Sequence, residues 1–343
     1  MKRFDPNAAA TPDSGIFGLT SGRDDSRVVL IPVPFEATTS YRAGTARGPS
    51  AILEASRQVD LYDYVTGRPY EAGIYLLPES KEILELNRKA RRAVREIRGE
   101  AAPNKLQKLL DKVNNSGERL NEIVYEQCKD LIAEGKLVGV IGGDHSVPYG
   151  AIQAHAETYS GLGILHLDAH LDLREAYEGF TWSHASIMFN VITRLPQVAK
   201  LVQVGIRDFC EAELELVKTY KDRISVYFDE FLAERKFQGA SWTELADRIV
   251  AELPENVYLS FDIDGLDPAL CPNTGTPVPG GLSFQETVAL LARLVDSGRK
   301  IVGFDLSEVA PAEDGKDNWD ANVGARLLYK MIGYMLFSHR RIN

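Results

Sequence analysis

The sequence predicts an α/β fold in which helices cover both faces of a mostly parallel sheet. From residue 137 onward, short apolar runs of strand length alternate with longer segments of helical periodicity. Strands that alternate with helices form a parallel sheet, because each helix carries the chain back across it. The 343 residues show neither an internal repeat nor a low-complexity linker, so one large domain is favoured over two.

Composition and charge narrow the range of partners. An apolar content of 44% supports a sizeable core, and no apolar run approaches a membrane span of about 20 residues. The net charge of -10 argues against nucleic acid and is compatible with a cationic substrate. The N-terminus lacks the apolar core of a signal peptide, and three cysteines without C-x-x-C spacing are typical of free thiols. We therefore expect a cytoplasmic protein with no nucleic-acid or membrane partner.

The N-terminal part of the chain begins with an irregular arm. Residues 1–26 are rich in Gly, Ser, Asp and Pro, and we expect them to precede a single domain over 27–343. Residues 28–33 form the first predicted strand, and 50–59 form a helix with Pro49 near its start. The loop between them is long and dense in Thr, Ser and Gly, which is where α/β proteins place binding residues.

A long helical region follows at residues 81–134. Apolar residues recur there at three- and four-residue spacing, with predicted breaks at 101–104 and 114–117. Arginines and lysines at 88–92 are interleaved with glutamates, which indicates a solvated helix face rather than a nucleic-acid patch.

The regular α/β part supplies the other predicted elements. A helix follows Asp144, and the remaining helices are expected at 211–220, 242–253, 284–297 and 322–337. The strands are expected at 137–141, 162–167, 201–204, 224–228, 257–261 and 301–306.

Four of these strands end in polar clusters. Gly142-Gly143-Asp144-His145-Ser146 follows the first of them, and Asp168, His170 and Asp172 follow the second. Asp262 and Asp264 end the strand at 257–261, and Glu308 lies just beyond the last strand. Residues two apart in an extended strand point to the same face, and the carboxyl ends of parallel strands share one edge of the sheet. We therefore expect these side chains to converge.

Carboxylates and imidazoles on one small surface repel and desolvate one another unless a cation lies among them. Unrelated strand-end caps with a satisfied buried histidine are the alternative, but the number of clusters favours metal. Two ions would use the carboxylates better than one, with Asp168 and Asp262 as bridges. An oxygen-rich set with some imidazole and no thiolate suits Mn²⁺, and Ni²⁺, Co²⁺ or Fe²⁺ are alternatives.

A site with two such metal ions indicates that the protein catalyses a hydrolytic reaction. A water between them loses a proton near neutral pH and attacks an electrophilic carbon, after which a leaving amine needs a proton. His184 follows Asp172 across a loop that could fold over the site, so it is the candidate donor. We expect His166 in the core, and His155 and His339 in exposed helical settings.

These motifs resemble the ureohydrolase family of arginases, agmatinases, guanidinobutyrases and formimidoylglutamases. Gly-Gly-Asp-His-Ser, Asp-Ala-His-x-Asp and Ser-Phe-Asp-x-Asp-Gly-x-Asp-Pro occur here in the family's order, and the resemblance extends from Pro34 to about Phe337. It implies a three-layer α/β/α fold with an eight-stranded, mostly parallel sheet. It also implies two Mn²⁺ ions per subunit and a homo-oligomer, either a trimer or a hexamer.

The resemblance also assigns roles to residues. It implies that one ion is held by His145, Asp168, Asp172 and Asp262, and the other by Asp168, His170, Asp262 and Asp264. His184 is similar to the family's proton-shuttling histidine. Glu308 is similar to the carboxylate that holds the substrate guanidinium, and charge-assisted pairing suits that role.

The loop after Asp172 bears on the substrate. It lacks the asparagine that arginases carry there, so arginine is disfavoured, and its Tyr-Glu-Gly and Ser-His-Ala pieces look most like agmatinases. Glu175 or Glu178 could attract the distal ammonium of agmatine, whereas Arg174 could bind a carboxylate-bearing substrate such as guanidinobutyrate. The helical region over about 81–115 looks longer than in compact agmatinases and is interpreted as an insertion.

The sequence thus predicts hydrolysis of agmatine to putrescine and urea. Other guanidino or formimino substrates are the alternatives, namely aminopropylagmatine, guanidinobutyrate, guanidine, arginine and formimidoylglutamate. A metal-binding scaffold without turnover is a further alternative from a different class.

Overall fold

The computed structural model describes residues 4–99, 101–313, 315 and 317–340. These residues form one eight-stranded sheet in which every strand pairing is parallel, in the order β2-β1-β3-β8-β7-β4-β5-β6. The strands are β1 (Val28–Val33), β2 (Ile74–Leu76), β3 (Leu137–Gly142), β4 (Leu162–Leu167), β5 (Val198–Ile206), β6 (Ile224–Phe228), β7 (Asn256–Asp262) and β8 (Lys300–Ser307).

Helices cover both faces of the sheet. They are α1 (Gly48–Ser56), α2 (Lys81–Arg98), α3 (Pro103–Ala133), α4 (Tyr149–Thr158), α5 (Ile187–Arg194), α6 (Glu211–Thr219), α7 (Asp229–Phe237), α8 (Trp242–Ala251), α9 (Phe284–Asp296) and α10 (Trp319–Ser338).

Successive residues of the strands divide between two apolar cores. Val28 and Leu30 of β1 belong to the core under α8, α9 and α10, whereas Val29 and Ile31 belong to the core under α3, α4 and α5. This alternation is the period of two that an extended strand imposes. The two cores confirm the predicted three-layer α/β/α fold.

The seven predicted strands are all present, and one further strand was not predicted. β2 is only three residues long and pairs with β1 at the edge of the sheet. Such a short segment carries too little periodicity to be recognised. The helices α5 and α7, with eight and nine residues, were not predicted either.

The predicted break at 101–104 is confirmed, but the one at 114–117 is wrong. α3 runs without interruption through the polar stretch that suggested a turn. The Asn114 amide donates to the Gly179 carbonyl and accepts from the Thr181 N–H, at 3.2 and 2.9 Å. A Cβ on Gly117 would lie 2.6 Å from the Trp182 Cβ. Contacts with a distant loop therefore outweigh the weak local helix propensity of these residues.

The structure also bears on the predictions for the N-terminal arm and for His155. Ile16 and Phe17 of the arm are buried in the core, and the Phe17 N–H donates to Ser56 Oγ at 2.9 Å. The division of the chain at residue 26 stays a prediction.

His155 was expected to be exposed. This prediction is wrong, because α4 packs the His155 imidazole against Gly303 of β8. Within the described residues, no helix is long and apolar enough to cross a membrane.

Candidate metal centre

The predicted polar clusters meet at the carboxyl edge of four neighbouring strands, β3, β8, β7 and β4. This edge is where open α/β sheets bind ligands. The structure brings together all six predicted ligand residues, which are His145, Asp168, His170, Asp172, Asp262 and Asp264.

The first group of side chains surrounds His145. Its Nδ1 lies 3.0 Å from Asp168 Oδ2, 3.1 Å from Asp172 Oδ2 and 3.4 Å from Asp262 Oδ2. All four residues are buried. The backbone of Asp172 has a φ of +54°, a left-handed conformation that residues other than glycine seldom adopt. Such strain often marks a functional site, and here it accompanies the turn of the aspartate into the cluster.

The second group surrounds His170. Its Nδ1 lies 3.3 Å from Asp168 Oδ1 and 3.1 Å from Asp264 Oδ2. Asp168 therefore belongs to both groups and turns a different oxygen toward each. The Asp264 N–H donates to Asp262 Oδ1 at 2.8 Å, which links the remaining carboxylate to this side. A carboxylate shared in this way has the geometry of a bridging ligand.

His166 lies in the core as predicted, but it also supports the site. Its Nε2 is 2.9 Å from Asp168 Oδ2, and the Gln203 amide nitrogen is 2.9 Å from its Nδ1. The same amide nitrogen donates to the Leu171 carbonyl at 2.8 Å, which sets the orientation of the amide. Nδ1 therefore accepts, and the Nε2–H donates to Asp168. Sequence reasoning missed Gln203, whose signal is a polar residue inside the apolar run of β5.

The charges in this cluster indicate a place for cations. Burial and the negative charges of Asp264 and Asp168 raise the pKa of Asp262 well above its usual range. Burial and the charge of Asp168 raise the pKa of Asp172 to about 7. Buried carboxylates that repel one another are stabilised by a divalent ion, and the oxygen-rich donor set matches the hard and borderline metals. His145, Asp168 and Asp172 lie close enough together to hold one ion, and Asp168, His170 and Asp264 to hold another, whereas both nitrogens of the neighbouring His166 are already hydrogen-bonded.

His184 lies beside the centre and lines the same cavity as His170 and Asp172. Its Nδ1 is 3.2 Å from Thr38 Oγ1, which also accepts a hydrogen bond from the His184 N–H at 3.1 Å. Burial and nearby positive charge lower the pKa of His184 to about 3, so the imidazole is neutral at pH 7. Thr38 was missed as an individual residue, although it lies in the polar loop after β1 that the sequence singled out.

Glu308 is buried next to the first group. Its Oε1 accepts from the His145 N–H at 3.0 Å, whereas its Oε2 has no hydrogen-bond partner among the described residues. Burial and the charge of Asp144 raise the pKa of this carboxyl well above its usual range. Its backbone is left-handed, with a φ of +63°. An unpaired buried acceptor has room for one more hydrogen-bond donor, although Glu308 is not itself among the described residues that line the neighbouring cavity.

A cavity of about 140 Å³ opens over the two groups. Arg174 lines it, with its guanidinium 5.0 Å from the centre of the Tyr177 ring and its Nε 3.8 Å from Glu213. The described residues that line the cavity are Ser40, His170, Asp172, Arg174, Tyr177, His184, Ala185, Asp208, Phe209, Glu213 and Thr276. A larger cavity of about 680 Å³ lies at the β2 edge, away from the charged groups, so chemistry rather than size identifies the candidate site.

The two predicted loop glutamates are placed differently from Arg174. Glu178 forms an ion pair of 2.7 Å with Arg98 of α2, and Glu175 is exposed. Neither is among the described residues that line the cavity. Instead, Asp208 and Glu213 from the segment after β5 supply acidic groups there. Sequence reasoning missed Glu213 because charged residues are common at helix starts, and it missed Asp208 because its place at the cavity depends on residues that are distant in the chain.

The eight-stranded parallel sheet and its shared-carboxylate centre define a three-layer α/β protein built around a candidate binuclear metal site. Residues 26–333 match the family model described as Arginase family, and the chain belongs to the arginase family. It is 31% identical over 324 residues to N(1)-aminopropylagmatine ureohydrolase of Synechocystis sp., covering 92% of each chain. It is 28% identical to an agmatinase of Halalkalibacterium halodurans, over 86% of this chain and 87% of that one.

A solved structure supports the same fold. The agmatine ureohydrolase of Thermoplasma volcanium superposes with a TM-score of 0.72, covers 94% of both chains and is 23% identical. At this identity the match concerns the fold alone.

Proposed function

We propose that this protein is a binuclear metal-dependent ureohydrolase that cleaves a linear guanidino compound and releases urea. The observation that carries the proposal is Asp168, which turns one oxygen toward each of two buried ligand groups. His184 and the cavity lie beside these groups. Membership of a family of hydrolases supports the reaction type.

The proposed ligand sets follow the two groups. His145, Asp168, Asp172 and Asp262 would hold one ion, and Asp168, His170, Asp262 and Asp264 the other. We propose two Mn²⁺ ions per subunit, with Ni²⁺, Co²⁺ or Fe²⁺ as the alternatives. When bound, the ions would supply Lewis-acid activation of a water molecule as the nucleophile.

The protein's own residues would then position the substrate and move protons. The free Oε2 of Glu308 would accept a hydrogen bond from the substrate guanidinium and place its carbon over the centre. His184 is neutral at pH 7, so it can accept the proton that the attacking water gives up and pass it to the departing amine. Thr38 would hold the imidazole in the orientation for this transfer through its contact with Nδ1.

The rim of the cavity supports a substrate with a cationic tail. Asp208 and Glu213 line it, but both oxygens of Glu213 already accept backbone N–H groups, and Glu213 lies close enough to Arg174 to balance the arginine charge. Asp208 is therefore the acid that is better placed to attract an ammonium group than Glu175 and Glu178. We therefore propose agmatine as the substrate, with hydrolysis to putrescine and urea. Aminopropylagmatine is the second candidate, because a relative of higher identity is named for its hydrolysis.

A substrate panel tests the proposal. The protein would be loaded with Mn²⁺ and assayed for urea with agmatine, aminopropylagmatine, guanidinobutyrate, arginine and guanidine, and for formamide with formimidoylglutamate. We expect hydrolysis of a cationic guanidino compound. Absence of turnover on the whole panel would leave the non-catalytic metal-binding scaffold as the better explanation. Preference for a carboxylate-bearing compound would contradict only the cationic-tail part of the proposal and would give Arg174 the leading role.

The proposal also covers the domain organisation, the cellular location and the assembly of the protein. We propose a single domain over 27–343 with a helical insertion at about 81–115, and a cytoplasmic homo-oligomer, either a trimer or a hexamer. The family resemblance supports the assembly. Light scattering coupled to gel filtration would measure it, and a monomeric mass would contradict it.

A further inference from the structure

We call residues 173–183 the substrate loop, and we call helices α2 and α3 the helical hairpin. The substrate loop is attached to the helical hairpin. Phe180 of the loop is fully buried, and it contacts Ala93 and Val94 of α2 and Val113 of α3. This small cluster is separate from the two cores that flank the sheet. The substrate loop therefore inserts its own anchor between the two helices of the hairpin.

The hairpin also holds the backbone of the loop. The Asn114 side chain donates to the Gly179 carbonyl at 3.2 Å and accepts from the Thr181 N–H at 2.9 Å. Leu110 of the same helix packs against Gly179, where an added Cβ would lie 3.0 Å from the leucine Cδ2. One asparagine thus satisfies a donor and an acceptor on both sides of Phe180.

The turn that these contacts hold includes two residues with a left-handed backbone conformation. The Phe180 N–H donates to the Tyr177 carbonyl at 2.9 Å, and the two residues between them have φ values of +55° at Glu178 and +83° at Gly179. A left-handed backbone is unfavourable for a residue other than glycine. Arg98 of α2 also holds this residue, because two of its N–H groups donate to Glu178 Oε2 at 3.0 and 2.7 Å.

Arg98 reaches the opposite wall of the cavity as well. Two further N–H groups of Arg98 donate to the carbonyls of Thr39 at 2.7 Å and Thr38 at 3.3 Å. Thr38 contacts His184, and the neighbouring Ser40 lines the cavity. On the first wall, Tyr177 lines the cavity and meets the His184 ring edge-on, with ring centres 6.0 Å apart. A single arginine therefore joins both segments that enclose His184.

We propose that the helical hairpin is a positioning element of the active site, in which Phe180, Asn114 and Arg98 hold Tyr177 and Thr38 against His184. These three residues line no part of the cavity and act through the residues that do. The inference rests on the proposed function for its kinetic consequence, whereas its structural part is independent of the substrate. It assigns a role in substrate binding to the region that the sequence marked as an insertion.

The sharpest test compares two adjacent asparagines of α3. Asn114→Ala removes both ties to the loop, whereas Asn115→Ala removes an exposed side chain of the same type one residue further along. For Asn114→Ala we expect kcat/KM to fall on the order of tenfold, through a lower kcat as His184 loses its orientation and a higher KM as the cavity wall loosens. We also expect faster amide hydrogen exchange over residues 174–183 and an unchanged metal content. Asn115→Ala should match the parent protein in all three measurements.

Phe180 provides a second, graded test. Phe180→Ala should produce the same changes in loop exchange and kcat/KM, and Phe180→Leu should restore part of both, because leucine refills most of the space between the helices. Equal exchange rates and equal kcat/KM in Asn114→Ala and Asn115→Ala would overturn the inference. A loss of metal in Asn114→Ala would overturn it too, since the hairpin would then serve the stability of the whole centre. If no substrate is hydrolysed, the proposed function fails, and the exchange comparison still decides the role of the hairpin.

Discussion

Asp168 shows how one buried carboxylate can serve two ligand groups. Burial alone would raise its pKa, but the imidazoles of His166, His145 and His170 lower it well below the usual range. The group therefore stays ionised without access to water. Each oxygen points to a different imidazole, which is the arrangement that the proposed two-ion centre requires.

Replacement of His184 separates catalysis from metal binding. We expect His184→Ala to retain both metals, because its imidazole belongs to neither ligand group among the described residues. Turnover should fall by about 10²–10⁴-fold, the usual contribution of an acid–base residue. Urea release and metal content by mass spectrometry would be measured on the same sample. Asp262→Ala is the comparison variant and should lose metal, whereas metal loss in His184→Ala would make His184 a ligand.

His155 gives a prediction about pH and stability away from the candidate centre. Burial lowers the pKa of this histidine to about 4 from the ordinary 6.5. Above pH 6.5 the imidazole is neutral in both states. Between that pH and about 4, the unfolded chain binds a proton that the folded chain excludes, so stability is lost as the pH falls.

The effect can be isolated with a variant that does not titrate. Between pH 7 and pH 5, the parent protein should lose about 2 kcal/mol more unfolding free energy than His155→Leu. Guanidinium chloride unfolding at both pH values would measure the difference. A parallel loss in the two proteins would show that His155 is protonated as easily in the folded state as in the unfolded one.

At the scale of elements, the close crossing of α3 and α4 lies directly after the segment that contains His145. α4 begins at Tyr149, shortly after His145, and crosses α3 at Gly150. A Cβ on Gly150 would lie 2.1 Å from the Asn121 carbonyl oxygen and 2.7 Å from the Tyr125 backbone nitrogen. Backbone atoms cannot rotate out of the way, so the two helices can approach this closely only with glycine at the crossing.

Gly150→Ala should therefore force α4 away from α3. We expect a loss of about 1–3 kcal/mol of unfolding free energy, the usual cost of overpacking a core. Because α4 follows the His145 segment, affinity for Mn²⁺ should weaken as well. Denaturant unfolding and a Mn²⁺ titration would measure the two effects. Gln153→Ala on the same helix is the control, and equal behaviour of both variants would contradict a tight crossing.

At the scale of the whole molecule, the strand order assembles the centre. β3, β8, β7 and β4 are neighbours in the sheet although they are far apart in the chain. Their carboxyl ends carry His145, Glu308, Asp262 and Asp168. Folding therefore concentrates negative charge at one edge, which is unfavourable for the folded state without a cation.

Metal binding should consequently stabilise the fold. An ion present at 100 times its dissociation constant adds about 2.7 kcal/mol to the unfolding free energy if it binds only the folded chain. We expect the protein to be more resistant to guanidinium chloride with Mn²⁺ than with a chelator. Asp262→Ala should show a much smaller difference. A difference as large in that variant as in the parent protein would place the bound ions elsewhere.

Local patterns predicted much of this molecule, and the failures share a cause. Strand-end residues such as Asp168 and Asp262 were identified because an apolar run followed by alternating acids is a local signal. Gln203, Thr38 and Asp208 were missed because their roles depend on residues that are distant in the chain. The turn expected near Asn114 is absent for the same reason, since its side chain is bound by the substrate loop.

The sequence by itself determined the α/β class, the one-edge convergence of the polar clusters and the six candidate ligands. These follow from periodicity and from the position of residues at strand ends, which are properties of neighbouring residues. Only the tertiary structure decided that Asp168 faces both ligand groups, that Glu178 pairs with Arg98 instead of lining the cavity, and that Phe180 anchors the substrate loop between α2 and α3. Those arrangements depend on the packing energy of segments far apart in the chain, and no local pattern encodes that energy.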